Sequence, residues 1–192
     1  MSTPLCLRPL DLTDEPAARL AHAELALDDF DFLLGVRSGE PWSAYLARLE
    51  AERRGEDLPD GWVPATFLVA DVDGDLVGRV SIRHVLNARL AAVGGHVGYG
   101  VRPGFRRLGH ATRMLQLALE RLGDLGVERA LVTCDVDNTG SAATILSCGG
   151  TPAAPTPATA DHQPDRRFWI DTRQPQKTPT ESGPGMVDPA NE

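Results

Sequence analysis

This sequence lacks the marks of a membrane span, a secreted disulfide scaffold and a basic nucleic-acid face. No apolar run approaches the ~20 residues needed to cross a bilayer, and Met1-Ser2-Thr3-Pro4-Leu5-Cys6 has neither the basic nor the apolar region of a signal peptide. Cysteine is scarce: Cys6, Cys134 and Cys148 are an odd set of three, with no Cys-x-x-Cys pair and no nearby His-x-x-x-His. They support neither a disulfide framework nor a zinc site, and are expected as reduced, mostly buried thiols. Positive charge is in deficit too. A formal net charge of −8 argues against a general nucleic-acid binder and suits an amine-bearing or otherwise cationic partner. Gly-x-x-x-x-Gly-Lys-Ser/Thr is absent, which disfavours a nucleotide-phosphate hydrolase. A cytoplasmic protein without a metal site, a membrane partner or a nucleic-acid partner is expected.

What the sequence contains suits one domain. Its 192 residues, 42% hydrophobic and 24% charged, are enough for a single sizeable core. That domain is expected over residues 1–173. Residues 174–192, rich in Pro, Gly, Gln and Glu, carry too little apolar content to offset ordering and are expected as a disordered tail. No internal repeat is evident. Leu5 to Leu10 alternates as a first strand, and Thr13-Asp14-Glu15-Pro16 opens a helix running through about Leu27. A second helix starts near Pro41, with Trp42, Tyr45, Leu46 and Leu49 on one side. The acidic and aromatic run Asp28 to Leu34 between them is expected as a loop that either lines a substrate mouth or tucks beneath it. Thr66 to Ala70 and Leu76 to Ile82 flank Asp73-Gly74 as a hairpin. A loop through Ala91 and Ala92 then leads into a central strand.

The chain is organised around the stretch from Val97 to Ala111, a strand that enters a tight, basic, glycine-bearing turn and then a helix. Ala111, Leu115, Ala118, Leu119, Leu122 and Leu125 recur at spacings of three and four up to a stop at Gly126, as an amphipathic helix requires. Its first turn offers free backbone N–H groups and about half a positive charge beside Arg106 and Arg107, and Gly109 lets the backbone come close to a ligand. Such a turn attracts a phosphate or pyrophosphate. Arg129 to Val136 follows as a buried strand, parallel to the central one through the helical crossover. Asn138 to Cys148 reads as a short helix, Thr151 to Thr159 as an irregular edge strand, and Arg167 to Ile170 as the last strand.

The turn Arg106-Arg107-Leu108-Gly109-His110-Ala111 meets the pattern Arg or Gln, two residues, Gly, one residue, Gly or Ala. Around it stand Gly61-Trp62-Val63-Pro64, Arg83-His84-Val85-Leu86-Asn87, Gly95 to Pro103 and Asn138-Thr139-Gly140-Ser141. Together these resemble the GNAT superfamily of acetyl-CoA-dependent N-acetyltransferases, in a branch of predicted bacterial acetyltransferases, over nearly the whole chain. The resemblance implies an α/β (α+β) fold: a mixed, mostly antiparallel sheet of six to seven strands with helices on both faces, strands four and five parallel and splayed. It implies acetyl-CoA as donor, with its pyrophosphate held by backbone amides of Arg106, Arg107, Leu108, Gly109, His110 and Ala111. Backbone groups of Tyr99 and Val101 would pair with the pantetheine arm, and Asn138 and Ser141 match positions that touch the coenzyme. The implied acceptor is a primary amine on a small molecule or peptide, acetylated directly in a ternary complex, with homodimerisation open.

The catalytic candidates are less definite. A lysine-like amine with a pKa near ~10.4 is mostly protonated at pH 7, so a base or a water chain must take its proton. His84 and His96 are the candidate bases. His96 has the opposite strand parity to Tyr99 and Val101 and is expected as a core hydrogen-bonding residue unless a bulge reverses it. His84, at a strand end, is better placed to meet substrate, with a solvated loop histidine as the alternative. Many superfamily members carry a Tyr seven residues after the Asn as acid for the leaving thiolate; here that position is Ile145. Tyr99 and Cys148 remain as candidates for that acid, Cys148 more readily read as packing. The vacant Tyr position keeps a second class open, a non-catalytic acyl-CoA-binding sensor or interaction module.

Overall fold

The computed structural model describes residues 4–155 and 165–173. Seven strands and five helices alternate along it: β1 (Cys6–Arg8), α1 (Glu15–Ala26), α2 (Trp42–Arg54), β2 (Ala65–Val72), β3 (Asp75–Arg83), α3 (Ala88–Ala92), β4 (Val97–Val101), α4 (His110–Asp124), β5 (Arg129–Asp135), α5 (Thr139–Ser147), β6 (Thr151–Ala153) and β7 (Asp165–Asp171). Two antiparallel sheets result, ordered β1-β2-β3-β4 and β5-β7-β6. The mixed α+β architecture and mostly antiparallel pairing match expectation. β4 and β5 form no ladder, so the strands fall into two sheets that part where strands four and five were expected to splay.

Strand alternation decides which helices lie on which face. In β2, Leu68 and Ala70 turn towards α4 and α5, joining Val80, Ile82, Val97, Met114, Leu115, Leu119 and Ile145. Phe67 and Val69 turn the other way, onto α1 and α2, beside Leu25, Phe32, Leu33 and Tyr45. Helices therefore cover both faces. Arg8 ties the start of the chain down, with Nη1 and Nη2 on the Asp14 carboxylate at 2.7 and 2.8 Å and Nε on Asp71 at 2.9 Å. The hairpin turn lies between Val72 and Asp75, where Asp73 and Gly74 both take positive φ, as a two-residue turn requires.

Several expectations shift. The first strand is only Cys6–Arg8. The segment read as a loop through Ala91 and Ala92 contains α3, which starts because the Asn87 carboxamide oxygen accepts from the Leu90 N–H at 2.9 Å. Cys6 is exposed, unlike Cys134 and Cys148. The edge strand stops at Ala153; its expected continuation over 156–159, like the expected tail over 174–192, lies outside the described residues.

Candidate active site

The site begins where the two sheets meet. The His96 N–H donates to the Leu131 carbonyl at 2.7 Å, and the Leu131 N–H donates back to His96 Nδ1 at 2.9 Å. The preceding Gly95, at φ +59°, lies so close that an added Cβ would collide with the Leu131 carbonyl. Beyond this junction β4 turns to β3 alone. The Arg83 N–H bonds His96 O, and the Arg102 N–H bonds Val77 O. With Ser81 opposite Gly98 and Arg79 opposite Gly100, the hydrogen-bonded positions of β4 are therefore the even ones. The main-chain groups of Val97, Tyr99 and Val101 face away from β3, into the gap left by β5.

That gap opens into a cleft of about 660 Å³. It is lined by Tyr99 and Val101 from β4, by Arg106, Arg107, Gly109, His110 and Ala111 from the turn, and by Asn138 and Ser141 from the start of α5. Of the expected coenzyme residues only Leu108 lies off the cleft, its side chain exposed. A 3-10 turn over Pro103–Phe105 re-aims the chain, and Arg107 (φ +66°) and Gly109 (φ +83°) both take left-handed conformations. Gly109 caps α4, whose first backbone bond runs from Arg113 N to Gly109 O at 3.1 Å. The N–H groups of residues 110 to 112 precede that bond, and nothing lies within 4 Å of a Cβ placed on Gly109. The residues present thus fit a pyrophosphate: open space, unpaired donors and a helix's positive end.

Side-chain bonds organise the rim. Arg106 reaches back to Val101 O at 3.0 Å and forms an ion pair with Asp28. Val101's carbonyl is therefore engaged, leaving its N–H for a ligand. Arg102 holds Glu24 at 2.7 and 2.9 Å, which keeps that carboxyl below its usual range. Asn138 Oδ1 accepts from the Ser141 N–H at 2.9 Å and so caps α5 from within the cleft wall.

The catalytic candidates separate cleanly. The Tyr99 hydroxyl lies 2.9 Å from Ser141 Oγ, on the cleft, and burial pushes it up to about 12. It is a protonated phenol throughout the neutral range. His96 is buried, its Nδ1 occupied by the Leu131 N–H, and its side chain faces away from the cleft, as strand parity implies. Burial holds it below the usual histidine range. His84 bonds Thr66 Oγ1 through Nε2 at 2.8 Å, and its main chain pairs with Pro64. The structure places it off the coenzyme cleft, against β2. Ile145 is wholly buried in the core, and Cys148 is buried with its thiol towards Thr112 O at 3.8 Å.

The front wall comes mostly from the acidic and aromatic run, expected as either lining a mouth or tucking beneath it. Leu25, Asp28 and Phe30 close the cleft from α1 and the loop after it. The Phe30 ring stands over Gly100, where an added Cβ would come within 2.5 Å of it. The acidic aromatic run was the only available signal. Asp28 is paired with Arg106 and nearby Glu40 with Arg48 at 2.9 Å, while Asp31 lies 3.5 Å from His22 Nδ1, which accepts the Leu33 N–H. Among the described residues no group of three or more His, Cys, Asp or Glu could hold a metal, and no helix is long and apolar enough to cross a membrane.

Residues 27–149 match the model of the Acetyltransferase (GNAT) family, and the chain belongs to that family, whose acetyl donor is acetyl-CoA. Solved structures with the same fold include the RimL ribosomal L7/L12 alpha-N-protein acetyltransferase, at TM-score 0.64 and 18% identity over 88% of this chain and 91% of that one. The Microcin C7 self immunity acetyltransferase MccE, in complex with acetyl-CoA and AMP, aligns at 0.62 and 19% over 87% and 92%. The putative acetyltransferase yncA from Salmonella typhimurium, with acetyl-CoA, aligns at 0.59 and 15% over 96% and 100%. No curated protein sequence matches.

Proposed function

We propose that this protein is an N-acetyltransferase that moves an acetyl group from acetyl-CoA to a primary amine by direct transfer in a ternary complex. The observation that carries the reading is the unpaired edge of β4 opening onto a helix N-terminus: amide-pairing strand groups and anion-binding donors line one cleft. Acetyl-CoA would supply an activated acyl group as a thioester. The N–H groups of residues 110 to 112 would hold the pyrophosphate, with Arg106, Arg107, Leu108 and Gly109 shaping the turn around it. Main-chain groups of Tyr99 and the Val101 N–H would bind the amide-bearing arm as an added strand, and Asn138 and Ser141 would flank it.

Tyr99 is the acid in this reading. Its hydroxyl lies on the cleft and hydrogen-bonds Ser141 Oγ, and burial keeps it protonated, so it can give a proton to the departing thiolate and recover it from solvent along Ser141. His84 is held through Nε2 by Thr66 Oγ1 and His96 through Nδ1 by the Leu131 N–H, so in this reading the acceptor amine gives up its proton to water. Thiol release from acetyl-CoA across a panel of amines, together with calorimetry of acetyl-CoA binding, tests the reading. Turnover with any amine supports it. Tight acetyl-CoA binding with no turnover across amines, peptides and antibiotics would favour the sensor instead.

A further inference from the structure

The face of the β3–β4 pair turned away from α4 carries two arginines, both on β3, that the coenzyme cleft does not use. Arg79 and Arg83 project from β3 on the same side as Gly98 and Gly100, because Arg79 pairs with Gly100 and Ser81 with Gly98. Arg79 is only 4% exposed. Its Nη2 donates to Asp31 O at 2.7 Å and its Nη1 to Gly98 O at 3.3 Å; the guanidinium stacks 4.2 Å from the Phe30 ring centre, and Nε has no hydrogen-bond partner. Arg83 donates from Nη1 to the carbonyls of Gly94 and Gly95 at 3.2 and 3.1 Å. Burial lowers both, Arg79 to about 10, which leaves it charged at neutral pH.

A buried arginine is ordinarily matched by an acid. These two bond main-chain oxygens instead. The acid that Arg79 feels is Asp31, whose main-chain oxygen rather than its carboxylate takes the guanidinium, the carboxylate accepting from the Gly35 N–H; the acid that Arg83 feels is Glu52, with no hydrogen bond between them. Between the two guanidiniums is a hollow made by a missing side chain. A Cβ built on Gly98 would stand 3.9 Å from Arg79 Nη1 and 3.9 Å from both Nη1 and Nη2 of Arg83, with nothing nearer. Gly98 immediately precedes Tyr99, whose main chain faces the gap. The hollow is thus one residue from the strand edge assigned to the coenzyme arm, on the opposite face.

We propose that this hollow receives a carboxylate of the acceptor, so that the amine acetylated belongs to a molecule carrying an acid close to that amine. The proposal rests on the acetyl-transfer reading and names the substrate class for it. Arg83 presents a planar fork suited to a carboxylate, and Arg79 fixes a second positive charge behind it. The same two charges repel a purely cationic acceptor, which reverses the preference suggested by the net charge of the whole chain.

Thiol release from acetyl-CoA is measured with 4-aminobutyrate against 4-aminobutanamide, and with an aspartyl peptide amide against its asparaginyl counterpart. The second pair separates a peptide's side-chain acid from a free amino acid. The acid-bearing member of at least one pair should show kcat/KM higher by about ten- to hundredfold, mostly through KM. In Arg83→Gln that ratio should collapse towards one, and Arg83→Lys, which keeps the charge but not the fork, should fall between. Melting temperature and acetyl-CoA affinity of each variant report whether the fold survives. Calorimetry of the acetylated products, with and without the acid, reads the hollow independently of turnover. Acetylated acids that bind through Arg83 in a protein releasing no thiol would overturn the acetyl-transfer reading and leave the anion site standing. Equal use of acid and amide by the wild type, or a ratio unmoved in a folded Arg83→Gln protein, would overturn the proposal.

Discussion

The two ends of β4 are built in opposite ways. At His96 the strand is bonded to β5 twice through one residue, with Gly95 pressed against the same carbonyl. At Val101 it runs into a turn whose donors are unpaired and whose glycine faces open space. A cleft arises here because pairing stops, and pairing can stop without loss of order because the closed end is over-determined. Buried polar groups must be satisfied at the junction and need not be at the mouth, where a ligand or solvent can reach them.

The largest expected effect sharpens the open end. Tyr99→Phe removes the one phenol on the cleft, so kcat should fall by ~10²- to 10⁴-fold while acetyl-CoA affinity stays nearly constant. Steady-state kinetics beside calorimetry separate the two; a proportional loss of affinity would make Tyr99 a binding group rather than an acid. Gly109→Glu sets a like charge against the pyrophosphate and puts a side chain at φ +83°. It should weaken acetyl-CoA by about ten- to hundredfold in a protein that still folds, and wild-type affinity would remove the turn from the site.

The closed end should answer in stability instead. His96→Ala leaves the buried Leu131 N–H without its acceptor, at a cost of about 2 kcal/mol and a fall in Tm of ~4–8 °C. Because burial depresses His96 in the folded state, the unfolded chain binds the extra proton as pH drops below about 6.5, and stability falls with it. Melting curves from pH 8 to 5 should show that decline in wild type and a shallower one in His96→Ala, His84 supplying part of what remains. An unchanged slope would mean that Nδ1 does not carry the junction.

Local signals were legible in the sequence and cross-chain ones were not. The helix after Gly109, the hairpin at Asp73-Gly74 and the basic turn each follow from residues a few positions apart. Strand parity also anticipated that His96 would face away from Tyr99 and act as a core hydrogen-bonding group. Its partner was invisible, because Leu131 lies 35 residues along the chain. The two readings of the front wall could not be separated for the same reason: nothing near Phe30 announces that Gly100 lies beneath its ring. Nothing local to Arg79 marks it as buried; it is the packing of α1, α2 and their loop over that face that buries it. The parting of β4 and β5, a property of two segments with a helix between them, was expected only through the family resemblance.

The account turns on β4 offering its odd-numbered residues to the coenzyme, and amide hydrogen exchange resolved by residue measures this directly. Without ligand the N–H groups of Tyr99 and Val101 should exchange fast and those of Gly98 and Gly100, bonded to β3, slowly; acetyl-CoA should slow Tyr99 and Val101 and leave the glycines as they were. Saturating acetyl-CoA that leaves Tyr99 and Val101 exchanging freely would contradict it.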